Sequence, residues 1–270
     1  MPVLHMSDFD LTYDVLGDGT PLVLMSGTAT HGDVWKLYQV PEFSRDHKVI
    51  TYDQRGTGRS TIRGKDFSAK RQAKDVIRLL DDVHASEAVL WGHSMGGRIA
   101  QLVALDYPER VKSLILSSTG ASFPTGGIPI SMCLALVSKG YECYIKEHSA
   151  HIGFSKSFAA QNLEIIDAFM KVRLANAPPL ELYLRQVIAR QEIDTSLRLS
   201  QIRVPTLVMV GEDEGHASAS GVTHLNSSET LVRGIPGAKL VVIPGQGHYY
   251  PFVYPEHTNR AVRDFLASNC

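Results

Sequence analysis

Gly92-His93-Ser94-Met95-Gly96 is the most informative stretch of this 270-residue chain. It follows an apolar run at 88–91 and precedes a helical pattern at 98–105. A serine between two glycines, where a strand passes into a helix, indicates a sharp turn that projects the hydroxyl into a cleft. The glycines leave room, because a Cβ there would meet the neighbouring backbone. The positive end of the helix favours an anion beside this serine. We therefore predict that Ser94 is a nucleophile.

Outward from this turn, short apolar runs alternate with helical patterns. The runs that predict strands lie at 11–16, 22–25, 49–52, 88–91, 111–116, 206–210 and 239–243. Apolar residues at helical spacing predict helices at 68–83, with Ser68 as the N-cap, and at 255–268. Strands that alternate with helices indicate the α/β class, with a doubly wound and mostly parallel sheet.

The segment 120–204 interrupts this alternation. It has no clear strand pattern, and helices are predicted at 130–138, 163–174 and 180–193. We interpret it as a helical cap inserted between a first core part, 1–119, and a second core part, 205–270. A cap above the carboxyl ends of the strands would shape a pocket there. We expect this cap to set substrate choice, with Met132 and Phe169 as candidate contacts.

Composition narrows the classes of function. Hydrophobic residues make up 44% of the chain, which is enough for the full core of one large domain. A net charge of −1 shows no excess of positive charge of the kind that nucleic-acid binding requires. No apolar run approaches the roughly 20 residues of a membrane helix. The N-terminus lacks a signal-peptide pattern, and three cysteines without metal-ligand spacing favour a reduced, cytoplasmic setting. We expect a monomer or homodimer that acts on a small molecule without a cofactor.

A nucleophilic serine needs a base, and His248 is the best candidate. It stands in Gly245-Gln246-Gly247-His248, between the last predicted strand and the last helix. A glycine-rich loop at one strand end lets an imidazole reach a serine at another strand end. The histidines that compete less well are His93, His148, His151 and His216. His148 and His151 form a loose His-x-x-His, but we expect surface histidines there and no metal site.

Three consecutive carboxylates, Glu212, Asp213 and Glu214, follow the strand at 206–210. One of them should orient His248, because the base of such a site needs an acidic partner. Glu214 has the favoured spacing after the strand, and Asp213 has the usual residue type. Both remain candidates, with Glu214 preferred. The turn at 117–119 offers only hydroxyl groups, so we expect no acid from the strand before it.

The oxyanion that forms in acyl transfer needs backbone N–H donors. One donor should be Met95, the residue after the nucleophile. The other should come from the loop after the strand at 22–25, with Thr28 preferred and Gly27 next. Trp35 is expected to pack under this loop.

Four motifs together resemble the α/β-hydrolase superfamily. They are Gly92-His93-Ser94-Met95-Gly96-Gly97, Tyr52-Asp53-Gln54-Arg55-Gly56-Thr57-Gly58-Arg59-Ser60, Val204-Pro205-Thr206-Leu207-Val208 and Gly245-Gln246-Gly247-His248. The chain is most similar to the small capped esterase and lactonase branch that includes 3-oxoadipate enol-lactonases. This resemblance implies a Ser–acid–His triad and hydrolysis of a small carboxylic ester or lactone through an acyl-enzyme.

Two departures from that pattern bear on the site. Many relatives carry His-Gly at the oxyanion loop, where this chain has Ser26-Gly27, so the hydrogen bonds of that histidine must be replaced. Relatives usually carry Asp where this chain places Glu214. Two other functions stay open: hydrolytic cleavage of a C–C bond in a diketone-like substrate, and a receptor of the same fold with little turnover.

Overall fold

The computed structural model describes residues 2–64, 66–122, 130–214 and 223–269. Within them a single sheet has the strand order β1-β2-β4-β3-β5-β6-β7-β8. The strands are β1 (Val3–His5), β2 (Asp10–Leu16), β3 (Thr20–Met25), β4 (His47–Tyr52), β5 (Ala88–His93), β6 (Val111–Ser117), β7 (Thr206–Gly211) and β8 (Lys239–Ile243). Strands β3 to β8 pair in parallel, whereas β1 and β2 are antiparallel to their neighbours. The predicted fold class is confirmed, and β1 is a strand that the sequence patterns did not indicate.

Helices pack on both faces of this sheet. Those outside the inserted segment are α1 (Gln39–Phe43), α2 (Ala69–Asp82), α3 (Met95–Asp106), α9 (His224–Gly234), α10 (Tyr250–Val253) and α11 (Pro255–Asn269). Neighbouring residues of a strand point to opposite faces, so β5 supplies Leu90 to one apolar core and Trp91 to the other. The first core includes α2 and α3, and the second includes α10 and α11. No helix among the described residues is long and apolar enough to cross a membrane.

Between β6 and β7 the described chain is helical. The helices are α4 (Ile130–Lys139), α5 (Tyr141–Gly153), α6 (Lys156–Gln161), α7 (Leu163–Ala175) and α8 (Leu180–Gln191). The predictions for α4, α7 and α8 agree with these bounds to within two residues, but α5 and α6 were not predicted. In α5 only Ile145, Ser149 and Gly153 are buried, a narrow stripe that gives a weak apolar pattern. Residues 123–129 and His216 lie outside the described residues, and the division into core and cap remains an interpretation.

Two contacts fasten the inserted helices to the sheet edge that carries Ser94. The buried side-chain amide of Gln186, on α8, accepts from Ala29 N at 2.8 Å and donates to the Arg55 carbonyl at 3.0 Å. At the end of α5, the carbonyls of Ile152 and Gly153 accept from the backbone N–H groups of His248 and Tyr249. These bonds hold α5 and α8 against the loops that carry the candidate site residues.

The turn at Ser94 depends on two glycines that have no room for a Cβ. A Cβ at Gly92 would lie 2.5 Å from the Gly96 carbonyl carbon, and one at Gly96 would lie 2.3 Å from the Met25 carbonyl oxygen. Both distances are far below van der Waals contact, so the strand and the helix could not approach as they do. Gly237, in contrast, has nothing within 4 Å of its Cβ position but has a φ of +74°.

We predict that Gly96→Ala destabilises the fold more than Gly237→Ala does. The first change forces α3 away from β3, at a cost of about 2–3 kcal/mol for overpacking. The second adds only backbone strain, at about 1 kcal/mol. Urea denaturation of both variants measures these free energies of unfolding. Equal losses would contradict the steric account of the turn.

Candidate active site

Ser94 lies at the carboxyl end of β5 and is the residue before α3. Its φ and ψ are +54° and −116°, which few residues other than glycine adopt. Its N–H donates to the Ser117 carbonyl at 2.9 Å, which ties the turn to the end of β6. Backbone strain of this kind persists only where the surroundings enforce it, and it concentrates at functional sites.

Two other non-glycine residues with positive φ lie at the same edge of the sheet. Ala29 has a φ of +55° in the loop after β3, and Ser118 has a φ of +51° just after β6. The side chain of Gln186 accepts from Ala29 N, whereas Ser118 N donates to the Met209 carbonyl. The strained residues are therefore held by hydrogen bonds to other elements, as pre-organisation of a site requires.

A buried Glu214 holds His248 by a side-chain hydrogen bond. His248 Nδ1 donates to Glu214 Oε2 over 3.0 Å, and both side chains are almost inaccessible to solvent. The other carboxylate oxygen, Oε1, accepts from Gly211 N at 2.8 Å and from Ser118 Oγ at 2.5 Å. Burial of a carboxylate is costly unless such donors replace water, so these bonds are what keep Glu214 in place.

The other two carboxylates of this loop face away from His248. Asp213 is exposed, and its backbone N–H donates to the Gln246 carbonyl. Glu212 is also exposed and accepts from Gly245 N at 2.9 Å. Of the three candidates, therefore, Glu214 is the one that contacts His248. The carboxylate contact is thus made by a Glu where relatives usually have Asp.

His224 is a neighbour of this pair that the sequence analysis missed. Its Nδ1 lies 3.2 Å from Glu214 Oε2, and its ring stacks on the His248 ring at a centroid distance of 4.8 Å. The ligand atoms of Glu214, His224 and His248 lie within 4.8 Å of one another, so this set could hold a divalent cation. The His248 N–H already satisfies one oxygen of this carboxylate, and Gly211 N and Ser118 Oγ satisfy the other. We therefore assign no metal to it.

His93 fixes the backbone that carries His248. His93 is buried, and burial lowers the pKa of its imidazole to about 3, so the ring is neutral at ordinary pH. Its Nε2–H donates to the His248 carbonyl over 2.9 Å. Ser118 Oγ lies 3.3 Å from the same oxygen. The histidine of the serine motif therefore acts on the position of His248.

Ser26 and Gln54 make the hydrogen bonds that hold the loop after β3, the role that the family resemblance assigns to a histidine. Ser26 Oγ accepts from Trp35 Nε1 at 3.0 Å and donates to the His31 carbonyl at 3.1 Å. Gln54 Nε2, from the motif after β4, donates to the Ser26 carbonyl. Trp35 packs under the loop as predicted, and it contributes a polar contact as well as apolar area.

The loop 26–30 passes directly beside Ser94. A Cβ at Gly27 would lie only 3.0 Å from the Ser94 Cβ, so a larger residue would crowd the Ser94 side chain. Thr28 Oγ1 contacts Met95 Sδ at 3.6 Å. The backbone N–H groups of Thr28 and Met95 do not donate to any backbone carbonyl in the turns and loops that the structure describes. The structure thus brings Gly27, Thr28 and Met95 together, and their oxyanion role remains a proposal.

A pocket joins Ser94 and His248 to the inserted helices. The core contributes Gly27, Thr28, His93, Ser94, His248 and Tyr249 to its lining. Helices α5, α7 and α8 contribute Ile145, His148, Ile152, Arg173, Tyr183 and Arg190. The free volume is about 30 Å³, room for about two water molecules. The expectation that Met132 and Phe169 contact the substrate is wrong for this pocket, because neither is among its lining residues and both pack into apolar clusters.

The pocket keeps His248 in its neutral form. Burial lowers the pKa of this imidazole well below its ordinary value, and His148, Arg190 and Arg173 lower it further because they disfavour a second positive charge. A general base must be neutral to accept a proton. His248 is therefore ready to act as a base at neutral pH and below.

We predict that Glu214→Gln lowers turnover by about a hundredfold or more, because the amide no longer selects the required His248 tautomer. Asp213→Asn, its matched control, should leave turnover within about twofold, since this exposed side chain does not contact His248. Steady-state kinetics of both variants, with circular dichroism to confirm folding, measure this difference. A silent Glu214→Gln would contradict the assignment.

We also predict that, on the acid side of the pH profile, kcat/KM falls only at an unusually low pH. An ordinary imidazole loses its base function near pH 6.5 as it protonates. Because the pKa of His248 is lowered, its neutral form persists to lower pH, and kcat/KM should stay level down to below about pH 6. A profile of kcat/KM against pH tests whether the pKa of His248 is lowered. A midpoint at or above pH 6.5 would show that the burial and the nearby cations do not control His248.

Comparison with known proteins agrees with this geometry. A family model described as "alpha/beta hydrolase fold" matches residues 20–136. "Putative carbamate hydrolase RutD" of Azorhizobium caulinodans is 30% identical over 98% of both chains. Among solved structures, Est816, described as an N-acyl homoserine lactone degrading enzyme, is 29% identical with a TM-score of 0.80, covering 98% of this chain and 100% of the other. A malate-bound esterase from Thermogutta terrifontis is 27% identical with a TM-score of 0.82, covering 96% and 94%. This chain belongs to the α/β-hydrolase superfamily, in its esterase and lactonase branch.

Proposed function

We propose that this hydrolase cleaves a small carboxylic ester or lactone through an acyl-enzyme, with Ser94, His248 and Glu214 as its triad. The observation that carries the proposal is the buried Glu214–His248 hydrogen bond beside a pocket that also contains the strained Ser94. A nucleophile, a neutral base and an orienting acid are the three groups that acyl transfer needs.

In the acylation step Ser94 Oγ attacks the carbonyl carbon of the substrate. His248 accepts the Ser94 proton at Nε2, because its Nδ1–H is engaged by Glu214. The negative charge that develops on the carbonyl oxygen is stabilised by the N–H groups of Met95 and Thr28, with Gly27 as the alternative donor. Collapse of the tetrahedral intermediate breaks the ester C–O bond, and His248 passes its proton to the leaving alcohol.

Deacylation repeats the same steps with water. His248 accepts a proton from a water molecule, the hydroxide oxygen attacks the acyl carbon, and a second oxyanion forms at the same donors. Collapse then returns the proton to Ser94 and releases the carboxylic acid. In a lactone the leaving alcohol stays attached to the acyl group, so one hydroxy acid is released.

Hydrolysis of a carbamate is the second candidate. The relative that is 30% identical over 98% of both chains is named a carbamate hydrolase, which is the observation that favours it. A carbamate has a carbonyl that Ser94 could attack in the same way, and the intermediate would be a carbamoyl-serine. The nitrogen lone pair makes that intermediate less electrophilic, so deacylation should limit the rate and give a burst of the first product.

We predict that Ser94→Ala lowers hydrolysis of 4-nitrophenyl acetate by about a thousandfold or more, because the acyl-enzyme can no longer form. Ser86→Ala changes an exposed serine outside the pocket and serves as the control. A serine-reactive phosphonate should label Ser94 in the wild type, as peptide mass spectrometry can verify. Full activity in Ser94→Ala would overturn the mechanism. Absence of turnover with esters, lactones and carbamates would favour the receptor alternative.

A further inference from the structure

Arg173 is a buried cation in the wall of the pocket. It lies on α7, is 3% exposed, and has its guanidinium carbon 5.4 Å from the centre of the Tyr249 ring. Its Nε and Nη1 atoms are buried and have no hydrogen-bond partner among the described residues. Burial of these two N–H groups without hydrogen bonds is unfavourable, because they have lost water and the contact with the Tyr249 ring replaces only part of that loss.

Among the described residues, no carboxylate is paired with this charge. The described lining of the pocket contains no Asp or Glu. The sequence stretches 123–129 and 215–222 contain no Asp or Glu either. The neighbouring carboxylate, Glu214, is already bound by Gly211, Ser118 and His248.

A second cation lies in the same lining. Arg190, on α8, has its Nη1 3.3 Å from the hydroxyl of Thr28, at the candidate oxyanion loop. Arg173 and Arg190 are both near enough to His148 and His248 to lower the pKa values of these imidazoles, after the larger effect of burial. The described lining of the pocket beside Ser94 therefore has two arginines and no carboxylate, which favours an anion there.

We propose that Arg173, with Arg190, binds a carboxylate of the substrate, so that the substrates are small esters, lactones or carbamates that carry a free carboxylate. The proposal rests on the proposed function, since it concerns the same pocket. Charge-assisted hydrogen bonds from the guanidinium would fix the anionic end. Because Ser94 and Arg173 line one pocket, that contact would hold the scissile carbonyl near the nucleophile, once the substrate has widened the pocket beyond its present room for about two water molecules.

A bound carboxylate would also act on His248. The two guanidinium groups disfavour the imidazolium that forms when His248 accepts the Ser94 proton. An anion on Arg173 cancels part of that effect and raises the pKa of His248 in the complex. Substrate binding thus makes the base stronger when it is needed, which links charge selection to the acylation rate.

Two 4-nitrophenyl esters of glutaric acid test the selection in the wild-type enzyme. One keeps its second carboxylate free, and the other has that group as a carboxamide of the same shape. We expect kcat/KM to favour the acid by about tenfold or more, after subtraction of uncatalysed hydrolysis. In Arg173→Gln this ratio should fall to about one. Arg185→Gln, on α8 outside the pocket lining, is the matched control and should keep the wild-type ratio.

Binding of glutarate tests the site without catalysis. Calorimetry with the Ser94→Ala protein should show saturable binding, and the added Arg173→Gln change should weaken it by about tenfold or more. If Arg173→Gln does not fold, Arg173→Lys keeps the charge but loses the planar fork, and the ratio of the two esters must still fall.

The two proposals fail in different ways. Equal kcat/KM for both esters, with turnover that depends on Ser94 and no glutarate binding, would overturn the carboxylate site and leave the hydrolase mechanism intact. Glutarate binding that depends on Arg173, without turnover of any ester, lactone or carbamate, would contradict the mechanism and leave the carboxylate site standing.

Discussion

The buried carboxylate of Glu214 is the group on which the arrangement of the site depends. It accepts hydrogen bonds from Gly211 at the end of β7, from Ser118 after β6 and from His248 after β8. A carboxylate out of contact with water is costly unless donors surround it, so these three strand ends are drawn to one point. Ser118, whose φ is +51°, is a residue of left-handed backbone that donates its hydroxyl to this carboxylate. The position of His248 is thus a consequence of satisfying one buried charge.

The inserted helices hold loops of the sheet in place and form part of the pocket. Helix α5 accepts the backbone N–H of His248, and the amide of Gln186 on α8 fixes the strained Ala29 in the loop beside Ser94. Helices α7 and α8 place Arg173 and Arg190 in the pocket lining. The helical segment therefore has two functions in this account. It holds loops of the core in position, and it supplies the positive charge that we propose selects the substrate.

The strands, the turn at Ser94, the loop of His248 and the preference for Glu214 could be predicted because each rests on local sequence. Glycine spacing, apolar runs and the distance of an acid from a strand end are all visible along the chain. The contacts of Ser118 and His224 with Glu214 could not be predicted in this way, because they arise only when separate strand ends meet. Helix α5 was missed because it buries a narrow stripe of residues. The importance of Arg173 was hidden because an arginine on a helix is usually solvated, and only burial without a partner distinguishes it.

The hydrogen bond between His248 and Glu214 is the central claim, and proton NMR tests it most directly. A proton shared between an imidazole nitrogen and a buried carboxylate resonates far downfield and exchanges slowly with water. We predict one such signal at neutral pH that is lost in Glu214→Gln and in His248→Asn, and retained in Asp213→Asn and in His224→Asn. A downfield signal that survives Glu214→Gln, or that disappears in Asp213→Asn, would contradict the account.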